Sequence, residues 1–160
     1  EVTVDLQHAF GSQAHTGTRG AALFGDDGGH TLLWSVGRHV ASRHLESNEV
    51  SVLGLSATDD DTSAGPLGLG VEAITACGVS GNRHLLAVGD KRSAGEQLYA
   101  GISIVDLQRP ASSPPLARLQ AFRNAGSKAN IVDVCFSPDA DFLAVISTGF
   151  EVALTLLDWR

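Results

Sequence analysis

The chain has 160 residues, 43% hydrophobic and 18% charged, the balance of an ordinary globular protein with a sizeable core. Its net charge of −7 excludes a general nucleic-acid binder, because phosphate contacts need clustered Lys and Arg. No stretch approaches the ~20 apolar residues that cross a membrane, and no basic-then-apolar leader opens the chain, so the expectation is an intracellular protein without a membrane partner.

In chain order, Val2, Val4 and Leu6 alternate with Thr3 and Asp5 and predict a strand in a leading segment, 1–13. Residues 14–20 are polar and read as a loop. Ala22-Leu23-Phe24, a turn at Gly28-Gly29 and Leu32-Leu33-Trp34-Ser35-Val36 then predict a short, irregular β unit. His39 and His44 have no third ligand nearby, which favours strand residues over a zinc site. Asp59, Asp60 and Asp61 lie in a polar loop. Counting twelve positions from Asp59 or Asp60 reaches Gly70 or Val71 rather than the carboxylate of a calcium loop. Gly68-Leu69-Gly70 lacks the flanking strand and helix of a dinucleotide site, and Gly78-Val79-Ser80-Gly81 lacks the second glycine of a nucleophile elbow. The expectation is no catalytic residue, no cofactor and no metal. Cys77 and Cys135 are read as buried free thiols.

Residues 131–160 carry the clearest pattern. Ile131, Val134 and Phe136 form an apolar segment that stops at Ser137-Pro138-Asp139, where proline presets φ and the Ser and Asp oxygens can bond nearby N–H groups. Phe142-Leu143-Ala144-Val145-Ile146 is a continuous apolar run, read as a strand buried on both faces. Gly149 breaks it, and a third apolar segment ends in Asp158-Trp159.

The pattern recurs. Residues 74–88 overlay 131–145 at an offset of 57 (80 to 137, 86 to 143), which sets Ser80, Leu86 and Ala87 on Ser137, Leu143 and Ala144. Residues 101–107 overlay 153–159 at an offset of 52 (106 to 158), which sets Asp106 on Asp158. The difference between the offsets predicts a longer hairpin within 91–100. Repeated strand–turn–strand units predict an all-β chain, a β-propeller of about three blades at 14–57, 71–122 and 131–160. The last blade stops at its third strand, and a closed ring takes 4–8 blades. The expectation is a partial propeller, completed by the rest of its own propeller chain, with 1–13 as a leading strand for a closing blade.

Residues 108–132 carry Arg109, Arg118, Arg123 and Lys128 and no acidic residue, in a chain that is acidic overall. Pro110 and Pro114-Pro115 make the first part loop-like, and 116–122 read as the blade's outer strand. The four cations are either solvating charges on that strand or a docking strip for an acidic partner.

Phe136-Ser137-Pro138-Asp139 with Leu143-Ala144 resembles the first hairpin of a WD40 repeat. The name-giving Trp-Asp pair is degenerate, as Trp34-Ser35, Val105-Asp106 and Leu157-Asp158. His8-Ala9-Phe10-Gly11, a short first blade, the Asn82-Arg83-His84-Leu85-Leu86-Ala87-Val88 blade and then the Phe136 blade follow an order similar to the start of the WD-repeat cilia- and flagella-associated proteins. That resemblance implies a non-catalytic scaffold of the axoneme, docking dynein arms or regulatory complexes on doublet microtubules. It also implies axonemal proteins, dynein or regulatory-complex subunits and tubulin as partners. Tubulin is itself acidic, so contact through other axonemal proteins or the basic strip is electrostatically easier. A WD40 scaffold of a non-ciliary intracellular complex shares the repeat features. A propeller hydrolase ranks lower, because the repeated positions are turn and packing residues.

Overall fold

The computed structural model describes residues 22–26, 29–53, 55, 70–94, 97–122, 130–149 and 151–160. The leading segment with its His8-Ala9-Phe10-Gly11, the Asp59–Asp61 carboxylates, Arg123 and Lys128 lie outside the described residues. Every regular element among the described residues is a strand.

The first sheet is a meander of β1 (Ala22–Asp26), β2 (Gly29–Val36), β3 (His39–His44) and β4 (Val50–Leu53). The second runs β5 (Gly70–Val79), β6 (Leu85–Ala94), β7 (Gln97–Asp106) and β8 (Ala117–Phe122), and the third β9 (Asn130–Phe136), β10 (Phe142–Thr148) and β11 (Val152–Asp158). All pairings are antiparallel and sequential, so each sheet is built from local hairpins. Three meanders in series, packed face to face, are the architecture of a β-propeller segment.

The turns explain why these strands stop where they do. After β5, the Ser80 N–H donates to the Leu85 carbonyl (2.9 Å), and the Leu85 N–H donates to Ser80 Oγ (3.0 Å). Ser80 Oγ donates to Asn82 Oδ1 (2.6 Å), which also accepts from the His84 N–H (3.1 Å). After β9 the same network recurs. Ser137 and Phe142 exchange the same bonds, at 2.9 and 3.0 Å, and Ser137 Oγ donates to Asp139, which accepts from the Asp141 N–H at 3.2 Å. Arg83 and Ala140 hold the same left-handed conformation, φ 63° and 62°.

The repeat also shares an irregularity. Ile74 pairs with Asp90 and Ala76 with Gly89, so Thr75 is bulged out. Ile131 pairs with Ser147 and Asp133 with Ile146, so Val132 is bulged at the matching position. The longer hairpin in 91–100 is an extension of the ladder itself, since β6 and β7 stay paired out to Ala94 and Gln97.

Packing follows strand alternation. Leu86, Val88 and Val105 of the second sheet, with Ile74, meet Leu33, Val40, Leu53 and Leu55 of the first. The opposite face, Ala76, Ala87, Ala100, Ile102 and Ile104, meets Ile131, Val134, Phe136, Leu143 and Val145 of the third. Fully buried Leu86 and Leu143 each contribute about 1.5–3 kcal/mol of apolar transfer energy. Gly78 is required at this interface, because a Cβ there would overlap the Val134 carbonyl oxygen.

Three expectations change. The Phe142–Thr148 strand is buried on one face only, since Phe142 and Ile146 point away from the second sheet and are exposed. Cys135 is exposed for the same reason, while Cys77 is half-buried against the seam between the first two sheets. Trp34 and Ser35 lie in a second strand, opposite Ala41 and Val40, whereas Asp106 and Asp158 end third strands. The first sheet's third strand is the polar His39–His44, which carries little apolar signal.

Candidate interaction site

The seam between the first and second sheets opens into a groove of about 220 Å3. Thr31 and Leu33 of β2, Ser42 and His44 of β3, and Ser51 and Leu53 of β4 supply one wall, with Glu49 just before β4. Leu107, Arg109 and Ala111, in the loop after β7, supply the other. That loop is fixed at its start. The Leu107 N–H donates to the His84 carbonyl (2.8 Å), and Asp106 Oδ1 caps the turn by accepting from the Gln108 N–H (2.9 Å). Asp158 accepts from the Arg160 N–H (3.4 Å) at the matching place in the third sheet.

The lining is mixed in polarity. Ser42 Oγ and Ser51 Oγ share a hydrogen bond of 2.8 Å, and His44 Nδ1 lies 3.2 Å from Ser47 Oγ. Arg109 Nε is 3.2 Å from Asp106 Oδ2, yet 53% of its side chain stays exposed, so its charge is held in place but still presented to solvent. Small-molecule sites run to ~300–1,000 Å3, so a groove of this size suits one side chain of a partner rather than a cofactor. Among the described residues, no three His, Cys, Asp or Glu side chains gather as a metal cluster.

The two described residues of the basic strip, Arg109 and Arg118, do not act alike. Arg109 lines the groove. Arg118 sits on β8 opposite Ser103, and its Nη2 donates to the Leu55 carbonyl (3.0 Å), tying the second sheet to the chain two residues beyond β4. Arg118 therefore bridges the sheets as well as carrying charge. The positions of Arg123 and Lys128 are not described.

Beside Arg118 lies a buried polar cluster that pattern reading missed. Asp90 is fully buried and accepts from Arg92 Nε and Nη2, both at 2.6 Å, while Arg92 Nη2 also donates to Ser103 Oγ at 3.1 Å. Gly101 makes room for the pair, since a Cβ there would stand 2.9 Å from Asp90 Oδ1. The available signal was strand alternation, because Leu86, Val88, Asp90 and Arg92 share one face of β6.

The repeat residues occupy structural places. Ser80 and Ser137 organise turns, Pro138 is exposed in the second turn, and Leu86, Ala87 and Leu143 are buried. Ala144 is only half-buried, because it faces away from the second sheet. Phe136 meets Trp159 edge-on at 6.2 Å, and Trp159 Nε1 donates to the Ala140 carbonyl (2.8 Å). The Ser137 hydroxyl, followed by the Asp141 N–H, holds the Asp139 carboxyl below the usual carboxylate range. Burial pushes the Cys77 thiol up to about 12, so it stays protonated at neutral pH.

With this geometry in hand, the chain is similar to the C-terminal WD40 domain of Sif2, with a TM-score of 0.55 and 19% identity over 85% of this chain and 32% of that one. It is also similar to a chain of a mitotic checkpoint complex, at 13% identity over 91% of this chain and 53% of that one. The TM-score there is 0.30, at which the likeness carries no structural argument. No protein-family model and no curated protein sequence matches the chain. The likeness to Sif2 establishes the fold, a WD40-type β-propeller. The chain spans about a third of that domain's length, and its described residues form three sheets.

Proposed function

We propose that this chain belongs to a non-catalytic protein-interaction scaffold, and that the groove between its first two sheets takes an acidic side chain of a partner protein. The presentation of Arg109 carries the reading: its guanidinium is oriented by Asp106, half-exposed, and set in a small cleft of mixed polarity between two sheets. An oriented cation in such a cleft favours an acidic partner surface and disfavours a basic one. The setting we propose is the axoneme of a cilium or flagellum, with dynein arms, regulatory complexes and other doublet-microtubule proteins as the assembly. Support for that setting comes from the resemblance of the repeat order to the cilia- and flagella-associated proteins.

The test is charge reversal at the groove. Arg109→Glu is expected to reduce incorporation into the parent complex at least about fivefold, the effect of losing ~1 kcal/mol at an interface. Quantitative co-sedimentation from cell extracts reads the change. Incorporation equal to wild type, with an unchanged circular dichroism spectrum, would remove the groove from the account.

A further inference from the structure

The third sheet leaves one face open, and the repeat register says what that face is for. Val152, Leu154 and Leu156 are 75%, 75% and 69% exposed, and Phe142 and Ile146 stand beside them, also exposed. At the same offsets, Ile146 corresponds to Gly89 in the second sheet, and Val152, Leu154 and Leu156 to Ala100, Ile102 and Ile104. Ala100, Ile102 and Ile104 are buried because the third sheet packs on them through Ile131, Val134, Leu143 and Val145. The open face is thus the counterpart of a face that, one unit earlier, receives a whole following sheet.

Four small positions of the covered face have larger counterparts on the open one: Ala76 and Ala100 are replaced by Asp133 and Val152, and two glycines are replaced as well. Gly78 and Gly89 let the third sheet approach closely, since a Cβ on Gly78 would overlap the Val134 carbonyl oxygen and one on Gly89 would lie 2.8 Å from Ile131 Cγ2. Their counterparts on the open face are Cys135 and Ile146. A sheet docked there in the same manner would collide at both points.

We propose that the open face of β9–β11 seats a further antiparallel propeller blade of a particular shape. Its first strand stands further off beside Cys135 than β9 stands from Gly78. It carries a small residue, Gly, Ala or Ser, opposite Ile146, where the third sheet carries Ile131. The bulk that the third sheet brings to its neighbour is here supplied by the seat itself. The proposal continues an interface present within the chain and is independent of the axonemal setting.

The test uses the protein isolated from its own cells, with p-benzoylphenylalanine in place of Leu154 and sequencing of the cross-linked peptides after irradiation. The expected adduct is a peptide of alternating apolar pattern with Gly, Ala or Ser at the contact. An adduct with residues 22–53 of a second copy, with a non-strand peptide, or with nothing, overturns the proposal. An independent measurement is alkylation of Cys135 by N-ethylmaleimide, scored by peptide mass. Coverage is expected to slow the reaction at least about tenfold relative to the guanidinium-unfolded protein, because thiol reactivity follows access. Equal rates contradict coverage. Leu154→Asp is expected to restore the fast rate while the Trp159–Phe136 contact on the other face keeps its native fluorescence.

Discussion

Ser80 with Asn82 and Ser137 with Asp139 build the same turn with different chemistry, one neutral and one charged. Both serines accept from an N–H five residues on, and both donate to the side-chain oxygen two residues on. The carboxylate of Asp139 is held below its ordinary pKa by those bonds, so it stabilises the fold above about pH 3.9, the unfolded value. That contribution is lost as pH falls through the lowered folded value. Asp139→Asn, which copies Asn82, is expected to melt slightly below wild type at pH 7 and to lose less melting temperature than wild type between pH 4 and pH 2 (about the window set by the unfolded carboxylate). Parallel melting curves at every pH would contradict the assignment. Asp90 presents the opposite case, a fully buried carboxylate whose partner Arg92 is nearly buried too. Asp90→Ala leaves that guanidinium unpaired and is expected to cost about 3–5 kcal/mol by denaturant titration. Arg92→Leu in the same background is expected to recover part of it.

The hairpins were legible in the sequence to different degrees, for physical reasons. Turns that need Ser, Pro, Asn or Asp at fixed places announce themselves, so Ser80-Gly81-Asn82 and Ser137-Pro138-Asp139 located the boundaries around β5, β6, β9 and β10. The first sheet was less legible, because its third strand, His39–His44, is half polar and its turn is a simple Gly37-Arg38, which let Trp34-Ser35 pass for a strand end. The bulges at Thr75 and Val132 leave no local signature, since they arise from how the first strand of each sheet meets its partner. Arg118 was legible as a charge and not as a bridge, because its acceptor is a backbone carbonyl 63 residues away. This predicts a separation of two cations that composition treats alike. Arg118→Glu is expected to loosen the seam and speed amide hydrogen exchange in β4, while Arg109→Glu leaves those amides at wild-type rates. Equal exchange in the two variants would return Arg118 to a purely surface role.

For the whole molecule, three sheets stacked in series bury two interfaces and leave an apolar face on the third. Repeat units take most of their stability from neighbours, so a three-sheet piece leaves faces without such a neighbour at both ends. Expressed by themselves, the 160 residues are expected to aggregate or to melt without cooperativity; a monodisperse monomer with a sharp transition would contradict this. The propeller class was readable from the internal repeat alone, whereas the groove was not, because its walls come from two sheets and only Arg109 stood out by charge. The proposed axonemal setting is tested most directly by one measurement. The parent protein, epitope-tagged in a flagellated cell, should be retained on isolated axonemes and leave them on salt extraction together with a dynein or regulatory subcomplex. A diffuse or nuclear signal with no axonemal fraction would contradict that setting and leave the propeller fold untouched.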